Sequence, residues 1–232
     1  MTVNNAYLKK SACYNTDAEI TPRGIMVHST ATPGVKAADF IKRWDKPAAD
    51  VCPHAVLDDT GIYQLLPWPH RAWHCGRSGN DTHLSFEICE PPATYNKAGT
   101  GFTGYDVKSN QAYFDRVYGL AVALCAYWCD LYKLDASKII SHAEGYKLGI
   151  ASNHADVGHW FPLHGKTMDD FRAAVRAYIA AVEAANAQPV PTKYAVEIPG
   201  QTYYFKSMED AQKIADALAA VSVKGVAEAK YK

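Results

Sequence analysis

Short apolar runs alternate with helical segments along most of the chain, and this alternation limits the fold more than any other feature. Strand-like runs occur at GIMVHST (24–30), HLSFEICE (83–90) and SKIISH (137–142). Apolar residues at helical spacing predict helices over 34–45, over 110–133 and onward from Thr167, the expected N-cap. PHAVLDD and IYQLLP, separated by TG, predict a hairpin. The pattern indicates an α/β fold, with a mixed central β-sheet flanked by helices.

A proline-containing segment divides the chain into two predicted parts. NAQPVPT (186–192) interrupts the helical pattern and is interpreted as a linker. Residues 1–185 are numerous enough for one well-buried domain. Residues 193–232 show a ββαβ pattern of about forty residues, at the lower limit of what folds alone.

Composition and charge exclude several classes of protein. The formal net charge is zero, so the basic surface expected of a nucleic-acid-binding protein is missing. The longest apolar run, residues 117–129, is shorter than the ~20 residues that cross a bilayer, which predicts no membrane insertion. The first twenty residues lack the apolar segment of a secretory signal peptide. The six cysteines form no CxxC pair, and we expect free, mostly buried thiols.

Histidines lie at the ends of two predicted strands. His28 closes the first strand and His142 closes the last, so both can converge at one edge of a sheet, where neutral imidazole could bind zinc. Either histidine alone would more often be structural, and a third ligand is needed. In SNHADVGHW, which lacks helical periodicity, His154 and Asp156 are two residues apart and therefore face the same side of an extended segment.

Five fragments occur in the order found in zinc-dependent N-acetylmuramoyl-L-alanine amidases: GIMVHSTATPG, PHAVLDDTGIYQLLP, AWHCG, SFEICE and SHAEGYKLGIASNHADVGHWF. Over roughly residues 20–182 the chain resembles the type-2 amidase family, which includes peptidoglycan recognition proteins and many phage endolysins. The resemblance implies hydrolysis of the amide bond between N-acetylmuramic acid and L-alanine of the stem peptide, with Zn²⁺ as the cofactor.

The same resemblance implies roles for five residues. His28, His142 and Asp156 match the zinc ligands, and a fourth tetrahedral position is left for water. Glu87 matches a glutamate that takes a proton from water. His154 lies where many members carry a lysine that stabilises the oxyanion, so the chain departs from the commoner pattern there. If its imidazolium form is the active one, activity is expected to fall sharply at alkaline pH.

Other histidines and a tryptophan receive weaker interpretations. The resemblance places His54, Trp73 and His74 at the wall of the substrate groove, as substrate-binding or structural residues. His159 is predicted to pack beside its aromatic neighbours or line the site, and His164 is predicted to lie on the surface.

Peptidoglycan, both glycan strand and stem peptide, is the partner that the resemblance implies. It indicates a phage or prophage endolysin, made in the cytoplasm without a signal peptide and reaching the wall after holin-type release. The alternatives are a non-catalytic peptidoglycan-recognition module, against which all three candidate ligands argue, and an intracellular muropeptide-recycling amidase, against which the C-terminal module argues. The tyrosines of residues 193–232 suit wall binding, with assembly into a homo-oligomer as the alternative.

Overall fold

The computed structural model describes residues 2–96 and 101–187, and beyond them 194–198, 201–205, 209–210, 212–213 and 230–231. The chain divides into two compact units, Met1–Ile179 and Ala180–Lys232. The strands of the first unit, in chain order, are β1 (Val3–Asn5), β2 (Gly24–Ser29), β3 (Ala55–Asp58), β4 (Gly61–Gln64), β5 (His83–Ile88), β6 (Thr94–Tyr95), β7 (Phe102–Thr103) and β8 (Ile139–Ser141). Six of them form a mixed sheet in the order β1-β4-β3-β5-β2-β8, and β6 pairs with β7.

Parallel pairing aligns the carboxyl ends of three neighbouring strands. β2 runs parallel to both β5 and β8, and the register pairs His28 with Glu87 and Val27 with Ser141. Because paired residues in neighbouring strands project to the same face, His28 and Glu87 lie side by side. β3 and β4 form the predicted antiparallel hairpin. The pairing of β1 with β4 was not predicted.

The helices cover both faces of the sheet, which confirms the predicted fold class. They are α1 (Ala37–Trp44), α2 (Val107–Tyr132), α3 (His142–Lys147) and α4 (Met168–Ala187). One core contains Phe86 of β5 with Trp128 of α2 and Phe171 of α4, and a second core contains Phe40 of α1. Burying each of these aromatic side chains contributes roughly 1.5–3 kcal/mol.

Helix α3, which the sequence did not predict, begins at His142. His142 was expected to close a strand, but it is the first residue of α3. The Ser141 side chain accepts a hydrogen bond from the Glu144 N–H at 3.1 Å, and the Glu144 carboxylate accepts one from the Ser141 N–H at 2.8 Å. This reciprocal capping box begins the helix directly at the strand end and fixes the direction of His142.

The caps of the longer helices follow ordinary sequence rules. Asp106 caps α2 by accepting a hydrogen bond from the Ser109 N–H, and Lys133 ends α2 in a left-handed conformation with a φ of 54°. Thr167 caps α4 as predicted, because its hydroxyl accepts a hydrogen bond from the Asp170 N–H at 3.1 Å.

The second unit contains strands β9 (Tyr194–Ile198), β10 (Gln201–Phe205) and β11 (Lys230–Tyr231). β9 lies between the other two and pairs with both in antiparallel register. β9 and β10 coincide with the first two predicted strands, whereas most of the predicted helix lies outside the described residues. The first residues of the predicted linker are helical, since α4 extends to Ala187, and 188–193 lie outside the described residues.

Among the described residues, no helix is both long and apolar enough to cross a membrane. All six cysteines are buried and unpaired, as the sequence predicted.

Candidate metal centre and active site

Three side chains converge at the carboxyl edge of the sheet. His28 Nδ1 lies 3.0 Å from His142 Nδ1 and 3.1 Å from Asp156 Oδ2, and His142 Nδ1 lies 3.6 Å from the same oxygen. All three residues are buried. The structure therefore brings together the two histidines and the aspartate that the sequence singled out as metal ligands.

The geometry of this triangle fits a zinc ion. Zinc bonds of about 2.0–2.1 Å at tetrahedral angles place ligand atoms about 3.3 Å apart, and the three edges scatter around that value. Two imidazole nitrogens and one carboxylate oxygen are donors that zinc accepts in catalytic sites. The outer nitrogens are bonded as well: His28 Nε2 lies 2.9 Å from His74 Nδ1, and His142 Nε2 lies 3.2 Å from Ser152 Oγ. Such outer contacts orient metal-binding imidazoles.

The electrostatics of the triangle favour the protonation states that bind a metal. Burial lowers the pKa of His28, against the opposing attraction of the Asp156 carboxylate. Burial acts to raise the pKa of Asp156, but hydrogen bonds from His142 and His28 outweigh it and hold that pKa below its usual value. An imidazole without net charge and an ionised carboxylate are the forms of these side chains that bind a cation.

The segment that carries Asp156 is fixed by its backbone and its apolar neighbours. The Ala143 N–H, in the first turn of α3, donates a hydrogen bond to the Asp156 carbonyl oxygen at 3.2 Å. Val157 and Trp160 are buried in the core, which anchors the segment on the other side of Asp156. The segment is looped rather than helical, as predicted. The backbone hydrogen bond from Ala143 holds Asp156 close to His142.

Glu87 lies beside His28 with a carboxylate oxygen that has no protein partner. Its Oε2 is buried and makes no hydrogen bond within the described residues. Burial raises its pKa well above the usual value, and the charges of Asp156 and Glu90 add to the shift. A carboxyl group with a raised pKa, next to a candidate metal site, is suited to proton transfer near neutral pH.

His154 lies at the exposed edge of the triangle. Its ring centroid is 4.6 Å from that of His142, and its Nδ1 is 3.1 Å from Ser152 Oγ. The same hydroxyl oxygen lies 3.2 Å from His142 Nε2. His154 and Asp156 thus lie near the same ligand, as the two-residue spacing predicted, and Ser152 was missed because its hydroxyl gives no sequence signal.

The structure contradicts the substrate-binding prediction for His54. The residue is 0% exposed, its Nδ1 accepts a hydrogen bond from the Ser85 N–H at 3.0 Å, and its Nε2 donates one to the His70 carbonyl oxygen at 2.8 Å. Both ring nitrogens are therefore used inside the protein. His54 is a structural residue that joins β5 to the chain leaving β4, and it does not lie at the rim of a groove.

We expect His54 to make stability depend on pH. Burial lowers its folded-state pKa to about 3, whereas the unfolded chain titrates near 6.5. The neutral His54 ring therefore makes its full contribution to the free energy of unfolding above pH 6.5. This contribution is lost progressively as the pH falls toward 3, by up to about 1.4 kcal/mol per pH unit. Urea unfolding between pH 7 and pH 4.5 should show a steeper loss for the wild type than for His54→Asn, which cannot titrate. Equal slopes would contradict this assignment.

The other two predicted groove residues are adjacent in the chain, and one of them contacts a candidate ligand. Trp73 is partly exposed, and its backbone pairs with Cys52 in an isolated bridge. His74 is also partly exposed, and its Nδ1 contacts His28 of the candidate metal centre. Substrate contact through Trp73 and His74 stays a prediction.

Two further histidines belong to buried networks. His159 Nε2 lies 2.8 Å from Glu90 Oε1, and the Tyr95 hydroxyl donates a hydrogen bond to Glu90 Oε2 at 3.0 Å. The His159 ring packs against aromatic side chains, as predicted, but these are Tyr95 and Phe102, which are distant in sequence. His164 was expected on the surface, and it is only partly exposed. Its ring stacks on Phe114 with centroids 4.0 Å apart, a contact between distant segments that local sequence cannot reveal.

Comparison with known sequences identifies one family. A family model described as N-acetylmuramoyl-L-alanine amidase matches residues 18–159, more than half of the chain. The N-acetylmuramoyl-L-alanine amidase XlyA of Bacillus subtilis (strain 168) is 40% identical over 76 residues, which cover 31% of this chain and 26% of XlyA. The amidase CwlH of the same organism is 35% identical over 77 residues, 31% of each chain. The matched segment thus spans about a quarter to a third of these relatives.

Solved structures show the same architecture. The catalytic domain of XlyA superimposes with a TM-score of 0.57 at 22% identity, over 75% of this chain and 99% of that domain. The Staphylococcus aureus hydrolase AmiA, solved in complex with its ligand, superimposes with a TM-score of 0.63 at 17% identity, over 82% of this chain and 88% of AmiA. At these identities the structures establish the fold of the first unit.

Proposed function

The chain belongs to the N-acetylmuramoyl-L-alanine amidase family, and from this premise we propose that it is a zinc-dependent peptidoglycan amidase. It hydrolyses the amide bond between the lactyl group of N-acetylmuramic acid and L-alanine of the stem peptide. One observation carries the proposal: three buried donor atoms with edges of 3.0, 3.1 and 3.6 Å lie beside an unpartnered carboxylate oxygen of Glu87.

The ligands in this proposal are His28 Nδ1, His142 Nδ1 and an oxygen of Asp156. Zinc held by them supplies Lewis acidity toward the amide carbonyl and makes water a stronger acid. The three strands and the capping box fix the two imidazoles, while the backbone bond from Ala143 fixes the aspartate. Little reorganisation is needed when the site is loaded, because the donor atoms already have the required spacing.

Glu87 acts as general base and then as general acid. Its Oε2 takes a proton from the water whose oxygen forms the new bond to the amide carbon. The same proton passes to the amide nitrogen as the carbon–nitrogen bond breaks. The products are the lactyl carboxylic acid, which ionises by passing its proton to the released amine or to solvent, and the amine of L-alanine, so Glu87 ends the cycle as it began. Its raised pKa makes both transfers accessible near neutral pH.

His154 supplies a hydrogen-bond donor for the oxygen that becomes negatively charged. The residue is exposed toward solvent at the edge of the site and is linked to His142 through Ser152. If Ser152 donates to Nδ1, the imidazole proton lies on Nε2, and the neutral ring can still donate to an oxyanion.

The biological role that we propose is that of a phage or prophage endolysin acting on the bacterial cell wall after holin-type release. The C-terminal residues 193–232 bind the wall in this proposal, with self-association as the alternative. The likeness to the catalytic domain of the amidase XlyA supports the fold of an amidase catalytic domain in this proposal.

Mass analysis of purified cell wall after digestion tests the proposal. The full chain with zinc is expected to release stem peptides with free L-alanine amino groups and to leave glycan strands intact. Glycan chain length, measured on the same digest, serves as the internal control. New reducing sugar ends without free stem peptides would refute amidase action.

A further inference from the structure

His74 contacts a proposed metal ligand on the side away from the metal. Its Nδ1 lies 2.9 Å from His28 Nε2, and the two rings meet edge to face with an interplanar angle of 77°. Asn80 holds the turn that carries His74, since its Oδ1 accepts hydrogen bonds from the His74 and Cys75 N–H groups, both at 3.0 Å. Asn80 is only 7% exposed. A buried amide thus fixes the backbone from which His74 reaches His28.

The arrangement of protons around His28 follows from the direction of its two nitrogens. Nδ1 faces Asp156 and His142, so a metal bound there requires Nδ1 without a proton. The neutral ring then carries its proton on Nε2, which points to His74. His74 must accept this hydrogen bond through Nδ1, and its own proton therefore lies on Nε2. His74 Nε2 is buried and has no hydrogen-bond partner within the described residues. The contact of Nδ1 with His28 is therefore the hydrogen bond through which the His74 ring acts on the candidate metal centre.

We propose that His74 is a positioning residue, which fixes the tautomer and the ring orientation of His28 by accepting the hydrogen bond from its Nε2–H. The inference rests on the proposed zinc site. Metal-binding imidazoles usually donate their outer N–H to a carboxylate, a carbonyl oxygen or water, and loss of that acceptor typically weakens metal binding 10- to 100-fold. Here a second neutral imidazole provides the acceptor.

Three substitutions of His74 distinguish the effect of its hydrogen-bond acceptor from the effect of its ring packing. His74→Asn keeps an acceptor close to the position of Nδ1, whereas His74→Gln places its amide near the position of Nε2. His74→Phe keeps the ring shape and has no acceptor. His164→Asn is the matched control, because His164 is a partly buried histidine whose nitrogens bond to Tyr105 and Gln111, away from the zinc site.

Zinc affinity of the full chain, measured by competition with a chromophoric chelator, tests the proposal. We expect His74→Phe and His74→Gln to bind zinc about 10- to 100-fold more weakly than wild type, and His74→Asn and His164→Asn to stay within about threefold. The visible spectrum of the Co²⁺-loaded protein should change for the first pair only. Unchanged affinity in His74→Phe would overturn the proposal, and so would an equal loss in His74→Asn, which would show that packing of the ring matters instead.

The failures of the two proposals are distinguishable. If the wild type binds no zinc, the proposed zinc site is wrong and the role of His74 falls with it. If the wild type binds zinc and every His74 variant binds it equally well, only the positioning role is wrong.

Discussion

Replacing Asp156 with alanine is expected to lower zinc affinity by at least about 100-fold, since losing a ligand costs more than losing an outer hydrogen bond. The substitution removes the one anionic donor of the triangle and leaves two imidazoles whose Nδ1 atoms are 3.0 Å apart. Cell-wall lysis should fall on the order of 10³-fold, because the Lewis acidity lost with zinc supplies several kcal/mol of transition-state stabilisation. Zinc content after dialysis and the clearing of a cell-wall suspension measure the two effects.

The exposed residue Asp17 provides the control for this experiment. Asp17→Ala changes the charge by the same amount without touching the site, and both readouts should match the wild type. Lysis by Asp156→Ala at the wild-type rate, in protein shown to contain no zinc, would contradict the proposed mechanism. Loss of lysis with full zinc content would move Asp156 from metal binding to another role.

Replacing Glu87 with glutamine is expected to lower kcat by about 10²- to 10⁴-fold, the usual contribution of a positioned general base. Glutamine has nearly the same shape but cannot take a proton. Zinc affinity should stay within a few-fold of wild type, because Glu87 is not among the three ligands. The variant should also be at least as stable as the wild type, because glutamine carries no charge at the position where Glu87 Oε2 is buried without a hydrogen-bond partner.

Single-turnover release of L-alanine amino groups from purified wall measures the chemical step in Glu87→Gln. Glu19→Gln, at an exposed position, is the matched control and should be fully active. A Glu87→Gln enzyme with wild-type kcat would exclude Glu87 as the proton carrier. If Glu87→Gln also loses zinc, the loss of activity would indicate that Glu87 supports zinc binding and does not transfer the proton.

The sequence predicted the part of the site that regular secondary structure determines. Successive residues of the strand predicted over 83–90 point to opposite faces, so Phe86 lies in the core and Glu87 lies on the other face, beside His28 of β2. His28 follows from the same strand logic. Asp156 lies in a loop, and its role came from the family resemblance together with the two-residue spacing from His154.

Contacts between distant segments could not be predicted from local patterns. His54 resembled a groove residue, yet its ring nitrogens bond to the Ser85 N–H and the His70 carbonyl oxygen. Both partners are backbone groups of distant residues, so the sequence around His54 does not reveal them. His142 was assigned to a strand because the capping box that starts α3 depends on Ser141 and Glu144 adopting one shared geometry. His74 is a third case, since the chemistry of its Nδ1 depends on a partner 46 positions away.

Crystal diffraction of the zinc-loaded full chain, recorded on both sides of the zinc absorption edge, tests whether His28, His142 and Asp156 hold zinc. Our prediction is one strong anomalous peak inside the triangle of His28 Nδ1, His142 Nδ1 and the Asp156 carboxylate, within about 2.0–2.2 Å of each donor atom. A peak elsewhere, or none between these residues in protein that retains full lytic activity, would contradict it.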